Sequence, residues 1–244
     1  MTVKQGLSSN ALKTIAIVAM TVDHLAWLLF PGYSTNGVAL LMHVVGRLTA
    51  PIMMYFIVEG YFRTSNVKKY IGRMFLFAFV SHFAYALLFN KHFIPFRTTV
   101  FDQTSVLWTF ALGLTALAIS ESDNPRLQQW HKTALVWVCL IAAFPADWST
   151  PAAVSILYMG QNRDDFKRQT QWFMLWMTLY ALVYAVFLNR LYGALQLCVA
   201  LAIPLWRLYN GERGRWKGMK WVFYYYYPVH MVVLWLVRVL FLNA

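Results

Sequence analysis

Residues 12–30 read LKTIAIVAMTVDHLAWLLF, an apolar run of helix length that carries Asp23 and His24. About 20 such residues, at 1.5 Å rise each, cross a hydrocarbon core of roughly 30 Å, so the run reads as a membrane span. An ionisable side chain at that depth costs about 2.5–3.5 kcal/mol on insertion scales, so an adjacent acid and imidazole must be offset by a partner or a function. The run lacks a small-residue cleavage site before further apolar segments follow, and it reads as a retained first span rather than a cleaved leader.

The rest of the chain agrees with this reading. Of its 244 residues, 60% are hydrophobic, 18% aromatic and only 12% charged, far from the roughly 25% charged content of soluble domains. The polar stretches are too short to fold as soluble domains. The expectation is a single integral-membrane domain over residues 1–244, all-α, a polytopic transmembrane helix bundle. Apolar runs near 12–30, 38–62, 70–90, 104–120, 133–146, 150–160, 171–188, 191–206 and 219–241 predict about nine spans (range about 8–10). The pair 133–146 and 150–160 is short and separated by Pro145, Asp147 and Pro151, so a re-entrant hairpin is the alternative there. Both readings return the chain to the same side.

Of the 21 Lys and Arg, all but Arg47, Lys91, Arg97, Arg190 and Arg238 lie at the amino terminus or in alternate loops on one side. The positive-inside rule therefore predicts an amino terminus in the cytoplasm and a carboxyl terminus outside, in a multi-pass protein of the inner (cytoplasmic) membrane. The net charge of +12 marks orientation and contact with membrane lipid, and nucleic acid is not an expected partner. Cys139 and Cys198 both lie within apolar runs, so no disulfide framework is expected.

Polar groups at membrane depth carry the functional signal. In 38–62, His43, Arg47, Pro51, Tyr55 and Glu59 recur every fourth residue and form one winding ridge on a helix. Pro51 lacks an N–H and leaves the carbonyl of Arg47 without its helical donor. Counting rise, Asp23 lies about 10 Å and Arg47 about 13 Å from the outer edge, close enough in depth for an ion pair. His82, near Tyr85, and His230 approach the same layer at about 18 Å and 14 Å from the cytoplasmic edge. Pro228 loosens the last span beside His230. An ion pair locking two helices is one reading of Asp23 and Arg47, whereas several histidines at similar depth, with that Asp and Arg, favour a reaction or transport site. There is no HExxH and no His pair at i, i+4, so no metal is expected. GxSxG and a glycine-rich phosphate loop are also absent.

On the cytoplasmic side, Arg63, Lys69 and Arg73 in one loop and Arg213, Arg215 and Lys217 in GERGRWKGMK are candidates for clamping a polyanionic cofactor through charge-assisted hydrogen bonds.

These residues, taken together, resemble the TraX family, named for the conjugative pilin acetylase. The matching stretches are LKTIAIVAMTVDHLAWLLFP with Asp23 and His24, and VVGRLTAPIMMYFIVEGYFRT with Gly46, Arg47, Pro51, Glu59 and Gly60. They continue through NVKKYIGRMFLFAFVSHFAY with Arg73 and His82, SVLWTFALGL with Gly113, and YYYYPVHMVVL with Tyr227, Pro228 and His230. The combination of DH, GRxxxP and YPxH is the specific part. The chain departs from the family's usual Asp-Tyr-Gly at Asp147-Trp148-Ser149 and from its usual Asn at Ser105, changes that bear on an acceptor pocket.

The resemblance implies transfer of an acetyl group from acetyl-CoA to an amine or hydroxyl acceptor: a protein amino terminus, an amine or a sugar. On that reading His24 is the general base or acyl relay, and Arg47 stabilises the oxyanion or holds the cofactor. Adjacent helical side chains diverge by about 100°, so Asp23 is expected to steady Arg47, His82 or His230 rather than His24. His230 completes the catalytic set, and His43, Glu59, His82, Tyr85 and Asp147 are the candidate substrate contacts. The rival classes are a proton-coupled transporter or permease, and a non-catalytic membrane assembly factor.

Overall fold

The computed structural model describes residues 5–95, 97, 100, 101 and 103–242, with Lys220 described by its backbone alone. Lys4 and the side chain of Lys220, both used to argue orientation, lie outside the described residues. The described chain is helical: α1 (Ser9–Leu29), α2 (Gly37–Gly46), α3 (Thr49–Arg63), α4 (Val67–Leu88), α5 (Val106–Ser120), α6 (Gln129–Ala142), α7 (Ser149–Gln161), α8 (Phe166–Phe187), α9 (Arg190–Gln196), a 3-10 stretch (Leu197–Leu201), α10 (Ala202–Arg207) and α11 (Met219–Phe241). Helices Ser9–Leu29, Val67–Leu88, Phe166–Phe187 and Trp221–Phe241, and the run Gly37–Arg63, are long and apolar enough to cross a membrane. Exposed Val18, Leu41, Phe79, Leu182 and Val239 on these segments fit a lipid-facing surface.

Polar side chains set the helix starts. Ser8 accepts from the Ala11 N–H at 3.3 Å, Asn36 from Val38 at 2.8 Å, Asn66 from Lys69 at 2.8 Å and Asn189 from Tyr192 at 3.1 Å. Each satisfies a backbone donor that the first helical turn leaves unpaired. The run read from sequence as one continuous segment, 38–62, tightens at Arg47 and Leu48, where Leu48 N–H reaches the Val45 carbonyl at 3.1 Å. Pro51 explains the break, since it removes the donor that would continue the ladder through Arg47.

By its internal packing the chain forms two compact units, Met1–Phe56 with Tyr180–Ala244, and Ile57–Leu179, the chain passing from one to the other within α3 and again within α8. In the first unit α1 packs on α2 and α11. The Thr49 hydroxyl donates to the Ala16 carbonyl at 3.1 Å, tying the start of α3 to α1. The loop 208–217 wraps the amino-terminal end of α1, its Glu212 and Arg213 carbonyls accepting from Ser9 N–H at 2.9 Å and Asn10 N–H at 3.2 Å. Gly214 holds φ +89° there, and a Cβ would press on Ser8 Oγ at 2.8 Å. The apolar run 191–206 is interrupted at its middle by the 3-10 stretch.

In the second unit α5 is the axis, buried from Val106 to Leu117 on nearly every face as befits a helix apolar all round. Its 15 residues span about 22 Å, short of a full hydrocarbon core. Leu112, Ala116, Cys139, Leu140, Ala143, Ala153 and Val154 join α5, α6 and α7 in one cluster. Gly113 permits this approach: a Cβ there would sit 2.9 Å from Ile156 Cδ1 and 3.1 Å from Ala153 Cα. Gly113→Ala is therefore expected to force α5 and α7 apart and cost about 1–3 kcal/mol, read as a lowered unfolding midpoint in mild detergent. The α6–α7 turn places Trp148 at φ 63° and Ser149 at φ 48°, backbone that favours glycine. It is pinned by Asp147 N–H to the Thr104 carbonyl at 2.9 Å and the Thr109 hydroxyl to the Asp147 carbonyl at 2.8 Å.

Candidate functional site

Asp23 and His24 sit on α1 within the first unit and project to different neighbours, as adjacent helical positions must. Asp23 faces α2. Its Oδ1 accepts from Arg47 Nη2 at 2.9 Å and from His43 Nδ1 at 2.9 Å. Arg47 reaches onward, with Nη1 donating to Gln196 Oε1 at 2.8 Å. The depth match read from sequence thus becomes an ion pair, with the Asp23 side chain 14% exposed and that of Arg47 11%. Gly46 makes room for it, because a Cβ at that position would overlap the Asp23 side chain.

His24 faces α11. Its Nδ1 lies 2.6 Å from His230 Nε2, the two rings stacked at 4.9 Å and 15°. His230 Nδ1 lies 2.8 Å from the Tyr226 carbonyl. A carbonyl can only accept, so His230 carries its proton on Nδ1, and in a neutral ring its Nε2 is the acceptor. His24 therefore donates through Nδ1, and in a neutral ring its own lone pair lies on Nε2. Tyr226 completes the relay by stacking on His230 at 5.0 Å and 9°. Its hydroxyl is 2.7 Å from Thr21 Oγ1, and Thr21 donates to Ile17 at 2.9 Å, so Tyr226 is the donor in that pair.

The other residues singled out in the sequence lie elsewhere. In the second unit, His82 Nε2 donates to the Phe93 carbonyl at 2.7 Å while Nδ1 meets Thr104 Oγ1 at 3.0 Å, so both ring nitrogens hold the loop after α4. Tyr85 is buried against Phe89, ring centroids 4.8 Å apart. Asp147 lies in the α6–α7 turn. Glu59 is held by Arg63 Nε at 3.0 Å and by Arg163 Nε at 2.8 Å. Lys69 is exposed near the start of α4, and Arg73 lies over the Tyr70 ring at 6.0 Å. In the first unit, Arg213, Arg215 and Lys217 are exposed on loop 208–217, where Arg213 Nη2 donates to the Lys217 carbonyl at 2.7 Å.

Sequence reasoning missed Gln196, Arg163 and the Tyr226 carbonyl. Gln196 carried a signal, as a polar residue in the middle of an apolar run. The other two were not separable from an ordinary loop arginine and an ordinary backbone carbonyl.

The family model described as TraX protein matches residues 8–238. The chain belongs to the TraX family. A curated TraX-like relative, the probable fimbrial assembly protein FimC, serogroup H1, of Dichelobacter nodosus, is 32% identical over 234 residues, covering 93% of this chain and 94% of that protein. No solved structure matches this chain. The TraX match takes in every element of the Asp23 and His24 surroundings, from α1 through Gln196 to His230.

Proposed function

We propose that this TraX-family chain is an integral membrane acyltransferase that moves an acetyl group from acetyl-CoA to an amine or hydroxyl acceptor. It would cross the inner (cytoplasmic) membrane about nine times, amino terminus in the cytoplasm. The observation that carries the reading is the relay from the Tyr226 carbonyl through His230 to His24, because it makes His24 Nδ1 the donor, so that the neutral form of the ring carries its lone pair on Nε2. A neutral imidazole held in one tautomer by a second group is what a general base or an acyl relay needs.

Acetyl-CoA is a cytoplasmic anion, and the exposed Arg213, Arg215 and Lys217 supply charge-assisted hydrogen bonds for its phosphates in the first unit. Arg63, Lys69 and Arg73 offer the same chemistry in the second. The acceptor, whether protein amino terminus, amine or sugar, gives up one proton as its nitrogen or oxygen bonds the acetyl carbon. The C–S bond breaks and CoA leaves as thiolate. Arg47, engaged by Asp23 and Gln196, supports the site by fixing α2 against α1.

A second reading, a non-catalytic membrane assembly factor, is favoured by the name of the Dichelobacter nodosus relative, a probable fimbrial assembly protein. One experiment separates the two. Purified protein in lipid nanodiscs, given acetyl-CoA and a panel of amine and hydroxyl acceptors, is expected to release CoA thiol and acetylate the acceptor. A protein that neither binds CoA nor releases thiol above background with any acceptor overturns the acyl-transfer reading.

A further inference from the structure

On the α2 side of α1 lies a second imidazole whose environment the relay does not use. His43 is 1% exposed, and its Nδ1 is 2.9 Å from Asp23 Oδ1. The carboxylate can only accept, so the proton sits on Nδ1 and the neutral ring keeps its lone pair on Nε2. That nitrogen is fully buried and makes no hydrogen bond to the protein among the described residues. Buried acceptors are nearly always satisfied, and one that is not calls for a specific explanation. The aromatic rings packed against it do not supply one: Trp27 lies tilted at 4.7 Å and Tyr192 edge-on at 5.2 Å between ring centroids. The carboxylate behind it is fixed, since Arg47 shares the same oxygen and is itself anchored on Gln196.

Resting on the acyl-transfer reading, we infer that Asp23 and His43 form the acceptor-side base, with His43 Nε2 receiving the acceptor's proton, and that His24 is the acyl relay. The two imidazoles divide the reaction. In the first half His24 Nε2 attacks the thioester carbonyl, the new N–C bond replaces C–S, CoA leaves as thiolate, and the His24 Nδ1 proton passes to His230 Nε2. In the second half the acceptor's N–H or O–H proton moves to His43 Nε2 while its nitrogen or oxygen bonds the acetyl carbon. The N–C bond to His24 breaks, His24 recovers its proton from His230, and the proton on His43 is passed through solvent to the thiolate. Nε2 is fully buried, so the acceptor reaches it only as neighbouring side chains, Tyr192 among them, shift. Tyr192 lies on α9, which runs directly into the 3-10 stretch, a geometry less firmly bonded than an α-helix.

The test uses full-length protein in nanodiscs and compares wild type with His43→Asn, whose side-chain N–H still reaches Asp23. Wild type is expected to release a stoichiometric burst of thiol from acetyl-CoA without acceptor, and to turn over with glycinamide or hydroxylamine. His43→Asn is expected to keep the burst and lose about 10²–10⁴-fold in turnover with glycinamide. Hydroxylamine, a strong nucleophile that needs little base assistance, is expected to restore most of that loss. Equal turnover in the two proteins, equal loss with both nucleophiles, or turnover without a burst overturns this assignment while leaving acyl transfer intact. No thiol release from wild type under any condition removes the acyl-transfer reading itself.

Discussion

Asp23→Ala is expected to lower the unfolding free energy by about 3–5 kcal/mol, the cost of leaving a buried charge without its partner. Arg47 cannot shed its proton, and with its side chain 11% exposed it is largely shielded from solvent. Gln196 offers a neutral carbonyl to Nη1 but no opposite charge. The same substitution removes the acceptor for His43 Nδ1 and adds a second unsatisfied buried donor. The double variant Asp23→Ala with Arg47→Met is expected to recover most of the loss, because an apolar replacement removes the orphaned charge and fills its volume. Unfolding in mixed micelles, followed by helix content, checks both. A loss below about 1 kcal/mol for Asp23→Ala would show that Arg47 is adequately solvated without the carboxylate.

His24→Ala is expected to reduce acceptor-dependent thiol release by about 10²–10⁴-fold, the range for removing a positioned acid or base. Its stability effect is expected to be much smaller than that of Asp23→Ala, since His24 is a neutral ring stacked on another neutral ring and its loss strands no charge. His230→Phe tests the relay from the other end. The phenyl ring preserves stacking on Tyr226 and His24 but cannot accept the His24 Nδ1 proton, so the tautomer is no longer held. Activity is expected to fall by about 10²-fold, with the residual rate shifted in its pH profile relative to wild type. If His230→Phe retains the wild-type rate, His24 does not depend on the relay.

Several parts of this arrangement were readable before any coordinates. The depth of Asp23 and Arg47 along their helices is arithmetic on a fixed rise, and it brought them to one level, where the ion pair lies. The 100° step between neighbouring side chains excluded Asp23 as the partner of His24, and the two do face different helices. Pro51 flagged the Arg47 carbonyl as lacking its helical donor, but the run 38–62 read as one segment, and the tightening at Arg47 and Leu48 was not foreseen. Membership of the TraX family was legible in DH, GRxxxP and YPxH, short combinations whose members are far apart in the chain.

Other parts were not readable. His43 was one rung of a ridge in sequence, and nothing there distinguished a contact to Asp23 from one to a substrate. Glu59 stood on the same ridge, yet it is held by Arg63 and by Arg163 from a loop about a hundred residues away, a partner that helical periodicity cannot name. His82 had the same apparent depth as His24, but both of its nitrogens serve the loop after α4.

Composition, helical rise and motif were enough to read a helical chain of the TraX family with segments long and apolar enough to cross a membrane, and to say which ionisable residues lie deep within those segments. Those properties follow from composition, helical rise and local motif, which are functions of neighbours along the chain. The pairing came from the three-dimensional packing: Asp23 with Arg47 and His43, and His24 with His230. A helix fixes where along its axis a side chain sits, but its rotation about that axis, and so its partner, is set by packing against helices remote in sequence.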